Sequence, residues 1–256
     1  MRRTVTALLL LLSGVACALA QPAPTKQNQP KTATAKPGAA KQAPPQDSNC
    51  VGVVSNLGEK LTVRRIVYGL IGSELNEVPV DSWHIDDLAV AKISAALGRR
   101  TAVRRIPYHK EAFVSRGTLF RDAEAEIREG VRTLAAGTRC ARYLFVTRTY
   151  YHDLRIGGIG ILRTGIGEPF TKVNAYALFS LRLYDGETFT LLKRASAPSE
   201  ESILWQPIRG PHRRVDESFW PESPRNAAQD ARLREAIREL VSQGMDATLA
   251  ELPLTE

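Results

Sequence analysis

From residue 49 onward the apolar positions alternate between a period of two and a period of 3.6. "CVGVVS" (50–55) and "KLTVRRIVYG" (60–69) are rich in Val and Ile and flank "NLGE", which predicts a pair of strands joined by a turn. In "DSWHIDDLAVAKISAALG" (81–98) Ile85, Leu88, Ala89, Ile93, Ala96 and Leu97 share one helical face, with Asp81 or Ser82 as cap and Gly98 as stop. "TAVRRIPY" (101–108) reads as a short strand ended by Pro107. A second helix carries Phe120, Ala123, Ile127, Val131, Leu134 and Ala135 on one face and closes at Gly137. "RYLFVTRTYY" (142–151) is apolar on both sides at its centre, as in a strand covered on both faces. In the stretch 172–197, Val173, Ala175, Ala177, Phe179, Leu181 and Leu183 face one way, Asp185-Gly186 turns, and "TFTLLKRAS" returns. A long helix from about Asn226 to Glu251 turns Leu233, Ile237, Leu240, Val241, Met245 and Leu249 inward. The order ββαβαβββα predicts an α/β domain over 49–256, one mixed sheet with helices packed on it.

The residues before this domain carry no such periodicity and change the picture of where the chain resides. "MRRTVTALLLLLSGVACALA" has a basic start, an apolar run centred on Leu8 to Leu12, and a small-x-small end at Ala18-Leu19-Ala20. That is the pattern of a secretory signal peptide over 1–20, cut before Gln21. The apolar stretch is shorter than the roughly 20 residues a membrane span needs, and no other segment is long and apolar enough. A rival reading makes Cys17 a lipid anchor, but Gly14 stands where a lipobox usually has Leu, which favours cleavage. Residues 21–48 hold six of the fifteen prolines with Ala, Gln, Thr and Lys, and no large apolar residue. Such a leader cannot bury enough surface to offset its ordering entropy, so disorder is expected there.

With Cys17 removed or lipidated, the mature chain keeps Cys50 and Cys140. In an oxidising compartment a bond between them is the economical reading, since each precedes an apolar strand and the two strands can be neighbours. Periplasmic or secreted localisation follows. Setting aside Arg2, Arg3, Lys26, Lys31, Lys36, Lys41 and Asp47 from the 35 basic and 27 acidic residues leaves 29 against 26 over 51–256. That balance and an exported chain argue against nucleic acid as a partner.

The stretch 150–170, "YYHDLRIGGIGILRTGIGEPF", places five glycines within eleven residues. A phosphate cradle runs straight into a helix, whereas the chain after Gly167 has a period of two and lacks the Gly-x-Lys-Ser/Thr ending. The expectation is instead a long, mobile hairpin connection. In it Ile159, Ile161 and Ile166 would either tuck against the sheet or anchor a partner, with Arg155 and Arg163 selecting an acidic one. An irregular arm from 204 to 224, with Trp205 and Trp220, is a second candidate contact. The catalytic inventory is thin: no two of His84, His109, His152 and His212 have zinc-site spacing, and no motif asks for a metal or cofactor. Asp86 and Asp87 fall in the first turn of a helix, where the dipole favours carboxylates. His152-Asp153 is the least implausible catalytic pair, so an enzyme is the less favoured class.

The opening "CVGVVSNLGEKLTV", the strand-turn-strand "LRLYDGETFTLL" and the closing amphipathic helix resemble periplasmic α/β domains of the TolB amino-terminal, CsgG and LpoB type. The stretch "ELNEVPVDSWHIDDLAVAKI" (74–93) is similar to uncharacterised exported proteobacterial proteins. The resemblance implies an envelope adaptor that binds another envelope protein or an outer-membrane component, and it carries over no catalytic residue. The alternative is a periplasmic hydrolase or small-ligand-binding protein with a pocket near His152 and Asp153.

Overall fold

The computed structural model describes residues 47–67, 73–109, 123–152, 154–165, 170–197, 208 and 210–254. Ten strands make one mixed sheet. In chain order they are β1 (Asp47–Ser55), β2 (Lys60–Ile66), β3 (Glu74–Pro79), β4 (Ala102–Arg105), β5 (Cys140–Arg148), β6 (Tyr150–Tyr151), β7 (Ile156–Thr164), β8 (Lys172–Asp185), β9 (Leu191–Ser196) and β10 (His212–Val215). Helices α1 (Ile85–Leu97), α2 (Ala123–Ala135), α3 (Pro224–Ala227) and α4 (Ala231–Ala250), with 3-10 turns at Asp81–Trp83 and Glu217–Phe219, complete the described elements. The α/β class and the single mixed sheet are as the hydrophobic pattern predicts.

The long strand β8 organises the sheet. Antiparallel to it, β5 lies along Phe179–Asp185 and β7 along Lys172–Leu178. Thr149, just past β5, donates to the Leu178 carbonyl at 2.9 Å and accepts from Gly158 N–H at 3.2 Å, so β5 hands over to β7 on one side of β8. Ala177, whose N–H points the other way, donates to the Pro211 carbonyl at 2.8 Å, and β10 and β9 line that second side. Beyond β5 lies β1, parallel to both β5 and β4; beyond β7 lies β2, parallel to β7 and antiparallel to β3.

The expected β1–β2 hairpin is therefore corrected. The two strands run in the same direction and do not pair, and residues 56–59 step the chain from beside β5 to beside β7. A short polar turn between two apolar runs looks the same in sequence whether it reverses the chain or only offsets it.

Alternation along the strands builds two helix-covered cores, and a third apolar cluster of Ile156, Leu162, Tyr176, Leu178 and Ile208 lies about β7 and β8. Val51 and Val53 of β1, Leu144 and Val146 of β5, and the six apolar residues from Val173 to Leu183 of β8 pack against α1 and α4. On the opposite face Val54, Tyr143, Phe145 and Tyr184 pack with Val131 and Ala135 of α2. Cys50 and Cys140 lie in that second core, bonded at 2.06 Å with Cα atoms 4.8 Å apart. The N-cap of α1 is His84 in a left-handed conformation (φ 52°) rather than Asp81 or Ser82, because Asp81–Trp83 forms a separate 3-10 turn that buries Trp83. Trp83 Nε1 donates to the Ala228 carbonyl at 2.8 Å, and Arg238 of α4 donates to the Trp83 carbonyl at 2.8 Å. These bonds lock the start of α1 onto the carboxyl-terminal helices. Asp230 caps α4 by accepting from the Arg232 and Leu233 N–H groups. No helix among the described residues is long and apolar enough to cross a membrane.

Candidate functional site

Residues 156–164 of the glycine-rich stretch form a core strand, not a loop. Ile159 of β7 sits between Leu61 and Ala177, Ile161 between Val63 and Ala175, and both isoleucines are 0% exposed. Their expected role as contact anchors is corrected: they hold the sheet to α1 and α4. The glycines explain the misreading. Gly160 lies opposite Tyr176, and a Cβ there would overlap the Tyr176 ring and the Thr62 carbonyl. Gly158, at φ 64°, lies where a Cβ would run into the Arg148 side chain. Glycine inside a strand marks close approach of a bulky neighbour, and the alternation Gly158-Ile159-Gly160-Ile161 was the available signal.

The remaining predicted residues divide. Arg155 is exposed at φ 54° and closes the turn between β6 and β7 by donating its N–H to the His152 carbonyl at 3.2 Å. His152 is exposed, its ring set edge-on to Tyr150 with centroids 5.0 Å apart, and it lines neither cleft described below. Arg163 and Trp220 are brought together: the guanidinium lies 5.8 Å from the indole centroid and pairs with Glu217. That arrangement engages both side chains within the fold. Ile166, Trp205 and Asp153 lie outside the described residues.

Parallel β1 and β4 end on the same side of the sheet, and α1 begins there. A cleft of about 590 Å³ opens at this edge, lined by Ser55 at the end of β1 with Asn56 and Glu59 after it, Asp81 and Asp86 before and within α1, and Arg105 at the end of β4 with Ile106 through His109 after it. Asp86 shapes its floor. One carboxylate oxygen accepts from the Ser55 hydroxyl and from the Leu57 and Gly58 N–H groups, the latter two at 2.9 and 3.2 Å. The first turn of α1 thus pins the β1–β2 step. Gly58 permits this, since a Cβ would lie 2.9 Å from Ile85 Cβ. Asp87 is engaged by Arg105 and by His84 Nδ1, and these two hydrogen bonds hold its carboxyl below the usual carboxylate range.

A smaller chamber of about 200 Å³ lies on the α2 face of the sheet and shares Asn56 and Tyr108 with the cleft. Val54, Phe145 and Ile127 give it apolar walls, and Asn56, Thr147, Arg148 and Arg182 give it polar ones. Asn56 Oδ1 and Arg182 Nε are fully enclosed with no hydrogen-bond partner. Arg148 reaches Glu77 at 3.7 Å, and the Thr147 hydroxyl meets that of Ser180 at 3.1 Å. Sequence reasoning passed over Asn56, Arg148 and Arg182. The signal was there in part, because Arg148 and Arg182 are charges set into strands that are otherwise apolar on both sides. Among the described residues no group of three or more His, Cys, Asp or Glu side chains is placed to hold a metal ion.

No family model, curated protein or solved structure matches the chain, so the geometry of these two clefts carries the functional argument.

Proposed function

We propose that this chain is an exported cell-envelope binding protein that presents the cleft at the carboxyl ends of β1 and β4 to another envelope protein or an outer-membrane component. Three features support export: the signal-like first twenty residues, the Cys50–Cys140 bond, and the Pro/Ala/Gln leader suited to a tether. Kinship with the TolB amino-terminal, CsgG and LpoB domains belongs to the same proposal. Its support is the strand-turn-strand at Asp185, whose carboxylate accepts from the Glu187 and Thr188 N–H groups and the Thr188 hydroxyl.

One observation carries the binding reading. The cleft lies where open α/β sheets offer their ligand sites, at the carboxyl ends of parallel strands, and two of its charged lining residues, Asp86 and Arg105, are engaged in fixed bonds. Asp86 is bound to the β1–β2 step, and Arg105 is held by Asp87, which lies beside the cleft and also meets His84. A preset polar surface suits recognition better than proton transfer, which needs a group poised to change state. A hydrolytic pocket beside His152 has no comparable support, since that side chain is exposed and set edge-on to Tyr150.

The test is photocrosslinking in intact cells from position 109, exposed at the cleft, with position 94 on the exposed face of α1 as control. A discrete adduct from 109, absent from 94 and lost with Arg105→Glu, is the expected outcome. Adducts indifferent to position or to Arg105, or none at all, overturn the proposal.

A further inference from the structure

We propose that the outer edge of β9 is a docking site for an extended segment of an envelope protein that carries adjacent acidic and apolar residues and joins the sheet as an added strand. β9 is paired to β8 on one side, and among the described residues no strand lies along its other side. Five of its six residues are exposed, and only Ala195 turns into the core. An edge of this kind offers a row of main-chain N–H and C=O groups, which is the backbone half of a strand-addition site.

The side chains narrow the occupant. Leu191 and Leu192 are 37% and 49% exposed, two adjacent large apolar groups left in water at one end of the edge. The register slips there by one residue, which leaves Leu192 without an opposite number on β8. Lys193 and Arg194 follow, and β9 holds no acidic residue. Arg194 lies directly opposite Arg182 of β8, so two arginines share one face, while Lys193 lies opposite Leu183 on the other. Like charges at facing positions are unfavourable, and an added strand that brings carboxylates relieves the repulsion. Charges on an edge strand by themselves guard it against self-association. The basic pair opposes a second copy of β9 in this way, yet the two leucines beside it invite an apolar neighbour. A segment of opposite charge satisfies both. Laid antiparallel, it sets two acidic residues beside Arg194 and Lys193 and two apolar ones beside Leu192 and Leu191.

This surface is separate from the cleft at the ends of β1 and β4, since no residue of β9 lines that cleft. The probe is the amidated peptide Ser-Thr-Glu-Glu-Val-Ile-Thr-Ser with an amino-terminal fluorophore, titrated with the purified protein by fluorescence anisotropy. The edge is short, so a dissociation constant of roughly 0.1 to 1 mM is the scale to expect. Lys193→Glu/Arg194→Glu should weaken binding at least about tenfold and should instead take the peptide in which two lysines replace the glutamates. Both positions are exposed, so the fold is retained. Leu192→Ser should weaken binding about threefold to tenfold. An added strand bonds through alternate residues. Of two peptides methylated at one or the other glutamate nitrogen, one should therefore bind as before and the other should not bind.

Absence of saturable binding at several millimolar overturns the proposal. Equal binding of the two methylated peptides also overturns it, because the contact would then be one of charge without strand pairing. So does a charge reversal that fails to exchange the glutamate peptide for the lysine one. In cells the doubly reversed variant should leave the adduct from position 109 unchanged, and its loss would refute a separate site.

Discussion

Reducing the Cys50–Cys140 bond should remove about 4 to 5 kcal/mol of stability. The bond closes a loop with a sequence separation of 90, and the chain-entropy relation gives that range at 25 °C for loops of this length. Native-state packing should change little on reduction, because both sulfurs stay enclosed between Val54, Ile106 and Tyr143. The effect is thus expected to act through the unfolded chain, which gains the freedom that the bond denied it. For a domain of this size a urea dependence of roughly 2 to 3 kcal/mol per molar turns the loss into a midpoint shift of about 2 M. A total stability of about 5 to 15 kcal/mol would leave the reduced form marginal. Urea unfolding of oxidised and thiol-reduced protein, followed by far-UV circular dichroism, measures the shift. The Cys50→Ala/Cys140→Ala double variant checks it without reductant, with an added loss for the volume removed from the second core. A shift under about 0.5 M with unchanged slope in both experiments would refute the reasoning, because the unfolded chain would then already hold β1 and β5 together.

Ile159→Ala and Ile161→Ala should each cost about 2 to 5 kcal/mol and lower the melting temperature by roughly 5 to 15 °C, whereas losses under about 1 kcal/mol would return these residues to a surface role. Gly160→Ala should be at least as damaging although it adds one carbon, since neither the Tyr176 ring nor the Thr62 carbonyl has room to retreat; a stability equal to wild type in thermal unfolding would contradict the close packing. Asp185→Ala should cost about 1 kcal/mol near neutral pH. The Thr188 N–H, the Thr188 hydroxyl and the Glu187 N–H hold the Asp185 carboxyl below its ordinary range, so its contribution is full above that range and is lost as pH falls through the lowered value. The gap between wild type and variant should therefore narrow between about pH 6 and about pH 3, and a constant gap would disprove the linkage.

The elements with one strong period were legible in the sequence. Every residue assigned inward on α4 is buried, and the six apolar positions of β8 all enter the core under α1 and α4. Legibility failed where a residue's role depends on a neighbour far along the chain. Gly160 looks like a loop residue until Tyr176 is placed beside it, and the 56–59 turn looks like a reversal until Asp86 is seen to hold it. Two short strands were missed for a related reason: β3 is exposed at four of its six positions and β10 has no buried position, so both show little alternation. Of the proposed contact residues, Arg163 and Trp220 do meet, but the structure uses them on each other.

The two clefts share a cause in the sheet itself. Two neighbouring lines of strand break at the same level: β1 steps to β2 through 56–59, and β5 hands over to β7 at Thr149 and Gly158. Asn56 N–H still reaches the Val146 carbonyl, but at 3.5 Å, so the ladder is stretched where the offset begins. Asn56 is the first residue of one break, and Thr147 and Arg148 are the last residues before the other. All three line the α2-face chamber, and Asn56 also lines the larger cleft. A continuous ladder would commit these positions to the strict in-and-out alternation that fills both cores with Val, Leu and Phe. Interrupting it frees polar side chains to turn toward a common space, which is how bulges re-aim side chains beside binding sites in other sheets. Residues at such a break should tolerate polar substitution far better than their neighbours two positions back, Val54 and Phe145, which remain inside the regular ladder.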